Sequence, residues 1–202
     1  MRMYQYAGKR IFDAGVSLVC LIILSPIFFV IAVLIKCDSP GPVFFVQDRI
    51  GRGGKIFRVF KFRTMHVDKT EESRLFTPGN TDRVTVIGRF LRNAKLDELP
   101  QLINVLQGNM SFVGPRPEVP KYRNAHSGKF KQVLSLKPGI TDWASIKYRN
   151  EENILSQSAN PESVYEKEIL PDKLSMALEY MGNVSFINDV KILVMTVVKV
   201  FG

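Results

Sequence analysis

The stretch AGVSLVCLIILSPIFFVIAVLI, Ala14 to Ile35, decides how the rest of the chain is organised. It is almost wholly apolar and long enough for a helix to cross a hydrocarbon core, which takes about 20 such residues. It is not a secretory signal, because it lacks a small-residue cleavage site after a short apolar core and runs directly into basic sequence. Ser25-Pro26 stands near its middle, where proline removes a backbone hydrogen bond and a serine hydroxyl can satisfy the carbonyl so freed. Basic residues lie on both flanks: Arg2, Lys9 and Arg10 before it, and Lys36, Arg49, Arg52, Lys55, Arg58, Lys61 and Arg63 after it. By the positive-inside rule both ends read as cytoplasmic. A helix-break-helix that enters one leaflet and returns to the same face satisfies that symmetry; a kinked spanning helix is the competing reading. In the first, residues 1–37 form a re-entrant membrane anchor and residues 38–202 a domain on the cytoplasmic face.

The size, 202 residues, suits one domain plus that anchor. A formal net charge of +9 calls for a polyanionic partner: nucleic acid, an anionic membrane surface or a phosphorylated substrate. Nucleic acid would account for the charge but not for the apolar segment, so no nucleic-acid partner is expected. Cys20 and Cys37 have no repeated spacing, which argues against a disulfide framework or a zinc site. With His66 and His126 the only histidines, the catalytic repertoire leans on Asp, Glu, Lys and Arg.

Leu96-Asp97-Glu98-Leu99-Pro100-Gln101-Leu102 sets two adjacent carboxylates before a proline suited to opening a helix, which Gly108 would end. Arg83, Arg89, Arg92 and Lys95 precede the acids. Carboxylates among cations suit phosphate chemistry, one carboxylate attacking or holding a metal while Arg and Lys neutralise the substrate. The plainer reading is that Asp97 and Glu98 only cap the following helix. Gly114-Pro115-Arg116-Pro117 fixes the backbone on both sides of an arginine, either as a phosphate clamp or as a structural turn. Lys137-Pro138-Gly139-Ile140-Thr141-Asp142-Trp143 is a second rigid turn and carries the only tryptophan, a stacking platform or a core residue.

Around these motifs, Val43 to Gln47 reads as a strand. Gly51-Arg52-Gly53-Gly54 makes a tight turn, and Lys55 to Arg63 alternates cationic and apolar residues, predicting a hairpin with one buried and one positive face. His66 to Thr81, with Pro78-Gly79, reads as a loop. Val84 to Lys95 has helical spacing with Val86, Ile87, Phe90 and Leu91 on one face, and such a basic amphipathic helix can lie on a membrane surface. Val164 to Tyr180, interrupted by Pro171, and Phe186 to Phe201 are further helices. The expected fold is α+β and helix-dominated, with interfacial amphipathic helices and a small antiparallel β element.

Lys9-Arg10-Ile11-Phe12-Asp13, the apolar run broken at Ser25-Pro26, Phe60-Lys61-Phe62-Arg63-Thr64-Met65, the Asp97-Glu98 string, Met110-Ser111-Phe112-Val113 running into Gly114-Pro115-Arg116-Pro117, and Lys137-Pro138-Gly139-Ile140-Thr141 occur in one order. Together they resemble the bacterial monotopic phosphoglycosyl transferases, in a minimal single-domain form, over nearly the whole chain. The resemblance implies transfer of a sugar-1-phosphate from a UDP-sugar to a polyprenyl (undecaprenyl) phosphate, giving a polyprenyl-diphosphate-sugar and UMP. This is the initiating step of bacterial surface glycan or glycoconjugate synthesis, at the cytoplasmic face of the inner membrane. It further implies that Asp97 is the nucleophile of a covalent phosphosugar intermediate and, with the diphosphate, a Mg²⁺ ligand, and that Glu98 supports the site. Lys61, Arg63, Arg92 and Arg116 are implied as phosphate-binding or site-bracing residues, and Asp189 as the brace of one of these arginines. Arg149, in Tyr148-Arg149-Asn150, is a candidate contact to nucleotide or sugar, in a region where this chain departs from the usual family pattern after Ile140. Besides the bilayer and the two substrates, downstream glycosyltransferases and a second copy of the chain are candidate partners. The competing functions are a membrane-anchored non-catalytic module of a glycan assembly complex and metal-assisted hydrolysis of a lipid or nucleotide phosphate.

Overall fold

The computed structural model describes residues 4, 8–67, 83–122 and 127–201. The loop expected around Pro78-Gly79, and His126, lie outside the described residues. The described chain is helix-dominated α+β with two two-stranded sheets, one antiparallel and one parallel.

Helix α1 runs from Lys9 to Asp38 without interruption, and Pro26 lies inside it. At a rise of 1.5 Å per residue it is about 45 Å long. The break expected at Ser25-Pro26 is therefore corrected to a continuous helix, for a local reason. Pro26 cannot donate to the Ile22 carbonyl one turn back, and the Ser25 hydroxyl donates to that same carbonyl at 2.8 Å. Apolar side chains along α1 stay uncovered, among them Ile22 at 65 %, Ile23 at 68 % and Phe29 at 71 % exposure.

Both ends of α1 are fastened to the rest of the chain. Near its start, Arg10 donates to the carbonyls of Val105 and Leu106 at 2.6 and 2.7 Å, Asp13 accepts from the Phe112 amide at 3.3 Å, and Lys9 pairs with Asp189. Near its finish, Ile31 and Ile35 pack on Phe62 and Leu91, and Asp38 accepts from the Ile87 amide at 3.2 Å.

Strands β1 (Phe44–Ile50) and β2 (Ile56–Phe62) form the expected hairpin, with Phe44 opposite Phe62 and Ile50 opposite Ile56. Its turn needs left-handed backbone at Gly53 and Gly54, with φ of 69° and 77°. The expectation of one buried and one cationic face on β2 does not hold, because other elements cover parts of both. Phe62 lies against α1, while on the opposite face Val59 is buried with Val105 and Met110, and Lys61 turns inward with it.

Helix α2 (Val86–Asn93) is capped by Thr85, whose hydroxyl accepts from the Gly88 amide at 2.9 Å. Its apolar residues divide: Leu91 is buried with Ile87 packed beside it, whereas Val86 and Phe90 face outward at 79 % and 60 % exposure. A 3₁₀ turn at Leu96–Glu98 precedes α3 (Gln101–Gln107), which ends at Gly108. The buried Asn104 of α3 stitches this helix to β2, accepting from the Phe60 amide at 3.0 Å and donating to the Arg58 carbonyl at 2.6 Å.

Strands β3 (Ser111–Val113) and β4 (Gly139–Thr141) pair in parallel, a contact not foreseen from sequence, and join the two rigid turns. Beyond α4 (Ser127–Val133), helices α5 (Trp143–Lys147), α6 (Glu151–Ser156) and α7 (Pro161–Val164) lead to a π-helical turn at Tyr165–Ile169. Pro171 is absorbed at the start of α8 (Leu170–Gly182), directly after that turn. Trp143 is a packing residue, grouped with Val113, Tyr180, Val184 and Ile192, and Lys191 lies 5.6 Å from its ring centre. Helix α9 (Phe186–Phe201) leaves apolar side chains outward, Ile187 at 79 %.

Gly114 and Gly139 meet backbone to backbone. A Cβ on Gly139 would stand 2.2 Å from the Gly114 nitrogen, which no side-chain motion relieves. We therefore expect Gly139→Ala to lower the thermal midpoint by roughly 6–12 °C, near the upper end of overpacking costs, about 3 kcal/mol, in a scanning unfolding measurement. A shift under 1 °C would contradict the close approach.

Candidate active site

Asp97 and Glu98 lie in the 3₁₀ turn that follows Lys95, the one non-glycine residue with positive φ (57°) among the described residues. Neither acid caps α3, whose start has no side-chain capping hydrogen bond, so the capping reading of the pair does not hold. The two carboxylates have opposite surroundings. Glu98 is gripped: Arg116 donates to its Oε2 at 3.2 Å and to its Oε1 at 2.5 Å, and Lys61 Nζ reaches Oε1 at 2.8 Å. Burial works to raise this carboxyl, but the Arg116 and Lys61 cations outweigh burial and hold it well below the usual carboxylate range. Asp97 is 7 % exposed, and no described residue donates a hydrogen bond to its carboxylate. Burial pushes it above its ordinary value; Lys61 pulls it down and Glu98 adds to the rise.

The backbone geometry behind Arg116 is the parallel pair. The Gly139 amide donates to the Pro115 carbonyl at 3.0 Å, and Asp142, which caps α5 by accepting from the Ser145 amide at 2.6 Å, also accepts from the Arg116 amide at 3.3 Å. The two rigid turns read separately in sequence are thus one device that aims a guanidinium.

Asp97, Glu98, Lys61, Arg63, Arg92, Arg116 and Arg149 line one cavity of about 1120 Å³, and Asp189 lies outside it. They do not share one role. Arg63 is 4 % exposed and donates to the carbonyls of Pro40 and Ser39 at 2.8 and 2.6 Å, at the end of α1, so it braces that helix terminus. Arg92 donates through Nε to the Thr64 hydroxyl at 2.9 Å and through Nη1 to Glu152 at 2.8 Å. Asp189 braces none of the described arginines; it accepts from the Tyr4 and Tyr180 hydroxyls, each at 2.6 Å, and pairs with Lys9. Sequence reasoning missed Thr64, Glu152 and Asn104. Thr64 sits within Phe60 to Met65 and was there to be noticed, whereas Glu152 is far from Arg92 in the chain.

The cavity lining is mixed: Cys20 and Leu24 of α1, Phe45, Leu102 and Ile140 contribute apolar surface, and Arg83, Arg92, Arg149 and Asn150 polar and cationic surface. Among the described residues no group of three or more His, Cys, Asp or Glu could cage a metal by itself. Mg²⁺ commonly binds through one or two carboxylates plus substrate phosphates, and the Asp97 carboxylate fits that mode.

A family profile described as bacterial sugar transferase matches residues 4–202. The chain belongs to the bacterial sugar transferase family. It is 39 % identical over 201 residues to the UDP-glucose:undecaprenyl-phosphate glucose-1-phosphate transferase of Escherichia coli K12, covering 96 % of this chain and 40 % of that protein. It is 38 % identical over 141 residues to a UDP-N-acetylgalactosamine-undecaprenyl-phosphate N-acetylgalactosaminephosphotransferase of Aeromonas hydrophila, covering 68 % of this chain and 33 % of that protein. With an exopolysaccharide production protein of Rhizobium leguminosarum it shares 36 % identity over 206 residues, 95 % of this chain and 94 % of that protein. The chain thus spans about two-fifths of the E. coli relative's length.

The opposed environments predict stability changes of opposite sign. Glu98→Gln leaves Arg116 and Lys61 without their anion and should cost about 2 kcal/mol, or roughly 4–8 °C, less than a fully buried pair because Arg116 is 36 % exposed. The Glu98 contribution is present above the ordinary carboxylate range and is lost as pH falls through its depressed folded pKa. Asp97→Asn removes a buried carboxylate whose pKa is raised, and should gain on the order of 1 kcal/mol, about 2–4 °C, at pH 8. That gain should disappear as pH falls through the raised folded pKa, where Asp97 is already protonated. Thermal unfolding of both variants across pH checks the signs; equal signs at pH 8 would contradict the assignment.

Proposed function

We propose that this chain transfers a sugar-1-phosphate from a UDP-sugar to undecaprenyl or a related polyprenyl phosphate, forming a polyprenyl-diphosphate-sugar and UMP as the first membrane step of bacterial glycan synthesis. The observation that carries the reading is one cavity that joins Asp97, the cations Lys61, Arg92 and Arg116, and apolar side chains such as Leu24, Phe45 and Leu102. A nucleotide diphosphate needs the cations, an isoprenoid chain needs the apolar side chains, and a phosphorus atom between them needs a nucleophile. Family membership supports the same assignment.

In the first step an ionised Asp97 oxygen attacks the β-phosphorus, the bond from that phosphorus to the bridging oxygen breaks, and UMP departs with that oxygen. In the second, an oxygen of the polyprenyl phosphate attacks the same phosphorus and the Asp97 carboxylate leaves. Arg116 and Lys61 are held by Glu98 on the floor of the site, where their positive charge offsets charge gathered on the phosphoryl oxygens without having to reorganise. Mg²⁺ held by Asp97 and the diphosphate would supply further neutralisation.

The membrane reading follows from α1. A helix fastened to one body at both ends has both ends on one side of a bilayer, which supports an α1 that rests in the cytoplasmic leaflet of the inner membrane without crossing it. The outward apolar residues of α1, α2 and α9 are then lipid contacts.

The test is UMP release from a panel of UDP-sugars, with and without undecaprenyl phosphate and Mg²⁺. The panel includes glucose and N-acetylgalactosamine donors, for which the relatives are named. Acceptor-dependent and chelator-sensitive UMP with at least one donor is expected, falling by roughly a thousandfold or more in Asp97→Asn. Free sugar phosphate without lipid product would point to hydrolysis, and indifference to Asp97→Asn to the non-catalytic anchored module.

A further inference from the structure

We propose that Glu118, Tyr165, Lys173 and Glu151, beside Arg49, form the subsite that reads the sugar of the donor, a neutral polyhydroxyl ring; this rests on the transferase reading above. All five line the same cavity as Asp97. The Tyr165 hydroxyl donates to Glu118 Oε2 at 2.7 Å, and Lys173 Nζ lies 3.5 Å from that hydroxyl and 2.5 Å from Glu151 Oε2. Arg49 donates to the Pro117 carbonyl at 3.3 Å and to Gln47 Oε1 at 2.7 Å.

Three observations argue for a bound sugar. First, Glu118, Tyr165 and Lys173 are exposed by only 9 %, 3 % and 8 %, yet they border open space. Well-packed apolar residues would generally serve stability as well or better than a buried ionic group, so stability does not explain this one. Second, the group holds two cations and two carboxylates, no net charge, and mixes donors with acceptors. Two carboxylates repel a phosphate and desolvation disfavours an isoprenoid, whereas hydroxyls both donate and accept. Third, Glu118 follows Arg116 by one proline, which puts the group next to the arginine of the phosphate site. A sugar bonded directly to the β-phosphate must lie beside that site. The π-helical turn at Tyr165–Ile169 places the tyrosine, and such turns occur often at functional sites.

The experiment measures kcat/KM for UDP-glucose, UDP-galactose, UDP-N-acetylglucosamine and UDP-N-acetylgalactosamine in the full chain and in Tyr165→Phe and Glu118→Gln, with undecaprenyl phosphate present. A site built to bond hydroxyls discriminates strongly, so the preferred donor should lose 10–100-fold and the disfavoured donors less than about threefold. Inhibition by UMP, which carries no sugar, should change by less than about twofold. An equal loss for every donor, or an unchanged preference, would overturn the subsite while leaving the transferase reading intact. Absence of UMP from the native chain with every donor would overturn both. Should the variants fail to fold, hydrogen exchange in the Asp97→Asn chain, which does not consume donor, gives an independent answer. The preferred UDP-sugar should slow exchange around Pro117–Val119 and the start of α8 where UMP does not, and equal protection by the two would overturn the proposal.

Discussion

Arg116 and Lys61 reach a single carboxylate, Glu98, from different parts of the chain: one from the turn after β3, the other from the end of β2. The rest of the site depends on that convergence. Without Glu98, two cations at the cavity wall would repel each other; with it, they stay fixed, partly desolvated and ready for a second anion. The parallel β3–β4 pair, the close approach of Gly114 to Gly139 and the Asp142 contact to the Arg116 amide all act to hold one half of this grip. Asn104, which ties α3 to the backbone of β2 at Phe60 and Arg58, secures the strand that carries the other half.

The positive charge of the chain is therefore not one undivided basic surface. Arg10 and Arg63 are structural, and they act alike. Each places a guanidinium on the carbonyls at a helix C-terminus, Arg10 at α3 and Arg63 at α1, where unpaired acceptors and the negative end of the helix dipole favour a cation. In a protein with so much outward apolar surface, carbonyls left unpaired beside lipid would be costly, and arginine satisfies several of them with one side chain. The net charge of +9 indicated polyanions in general, but the partners of each cation separate those set on helix-end carbonyls, Arg10 and Arg63, from those set on the Glu98 carboxylate, Arg116 and Lys61.

This division explains what was legible in the sequence. Local chemistry was readable: the hairpin, the helix ended by Gly108, the last helix, and the pairing of Ser25 with Pro26 follow from turn residues, periodicity and one missing donor. Contacts between distant segments were not. Nothing local in Met110 to Pro117 or in Lys137 to Thr141 announces that these strings lie side by side, because strands of three residues carry no period to detect. The β2 alternation suggested one solvated cationic face, and it failed because α1 covers Phe62 while Val59 and Lys61 are enclosed from the other side. The motif residues clustered as a set, but whether each arginine faces the cavity or a helix end depends on where the neighbouring helix terminates.

The adjacency of Asp97 and Glu98 has a chemical consequence on the transferase reading. A carboxylate is a weak nucleophile at its ordinary basicity, and basicity rises as its charge is less well solvated. Burial raises Asp97, Lys61 opposes that rise, and the fixed negative charge of Glu98 adds to it. Glu98 itself cannot take the role, since its oxygens are already held by Arg116 and Lys61. Two neighbouring acids with unlike surroundings thus divide the work, one as a permanent counter-ion and one as a reactive group. The same arrangement suits the second step. An incoming lipid phosphate meets cations held in place by Glu98, and the departing Asp97 regains its charge beside Lys61 without any rearrangement of the fold.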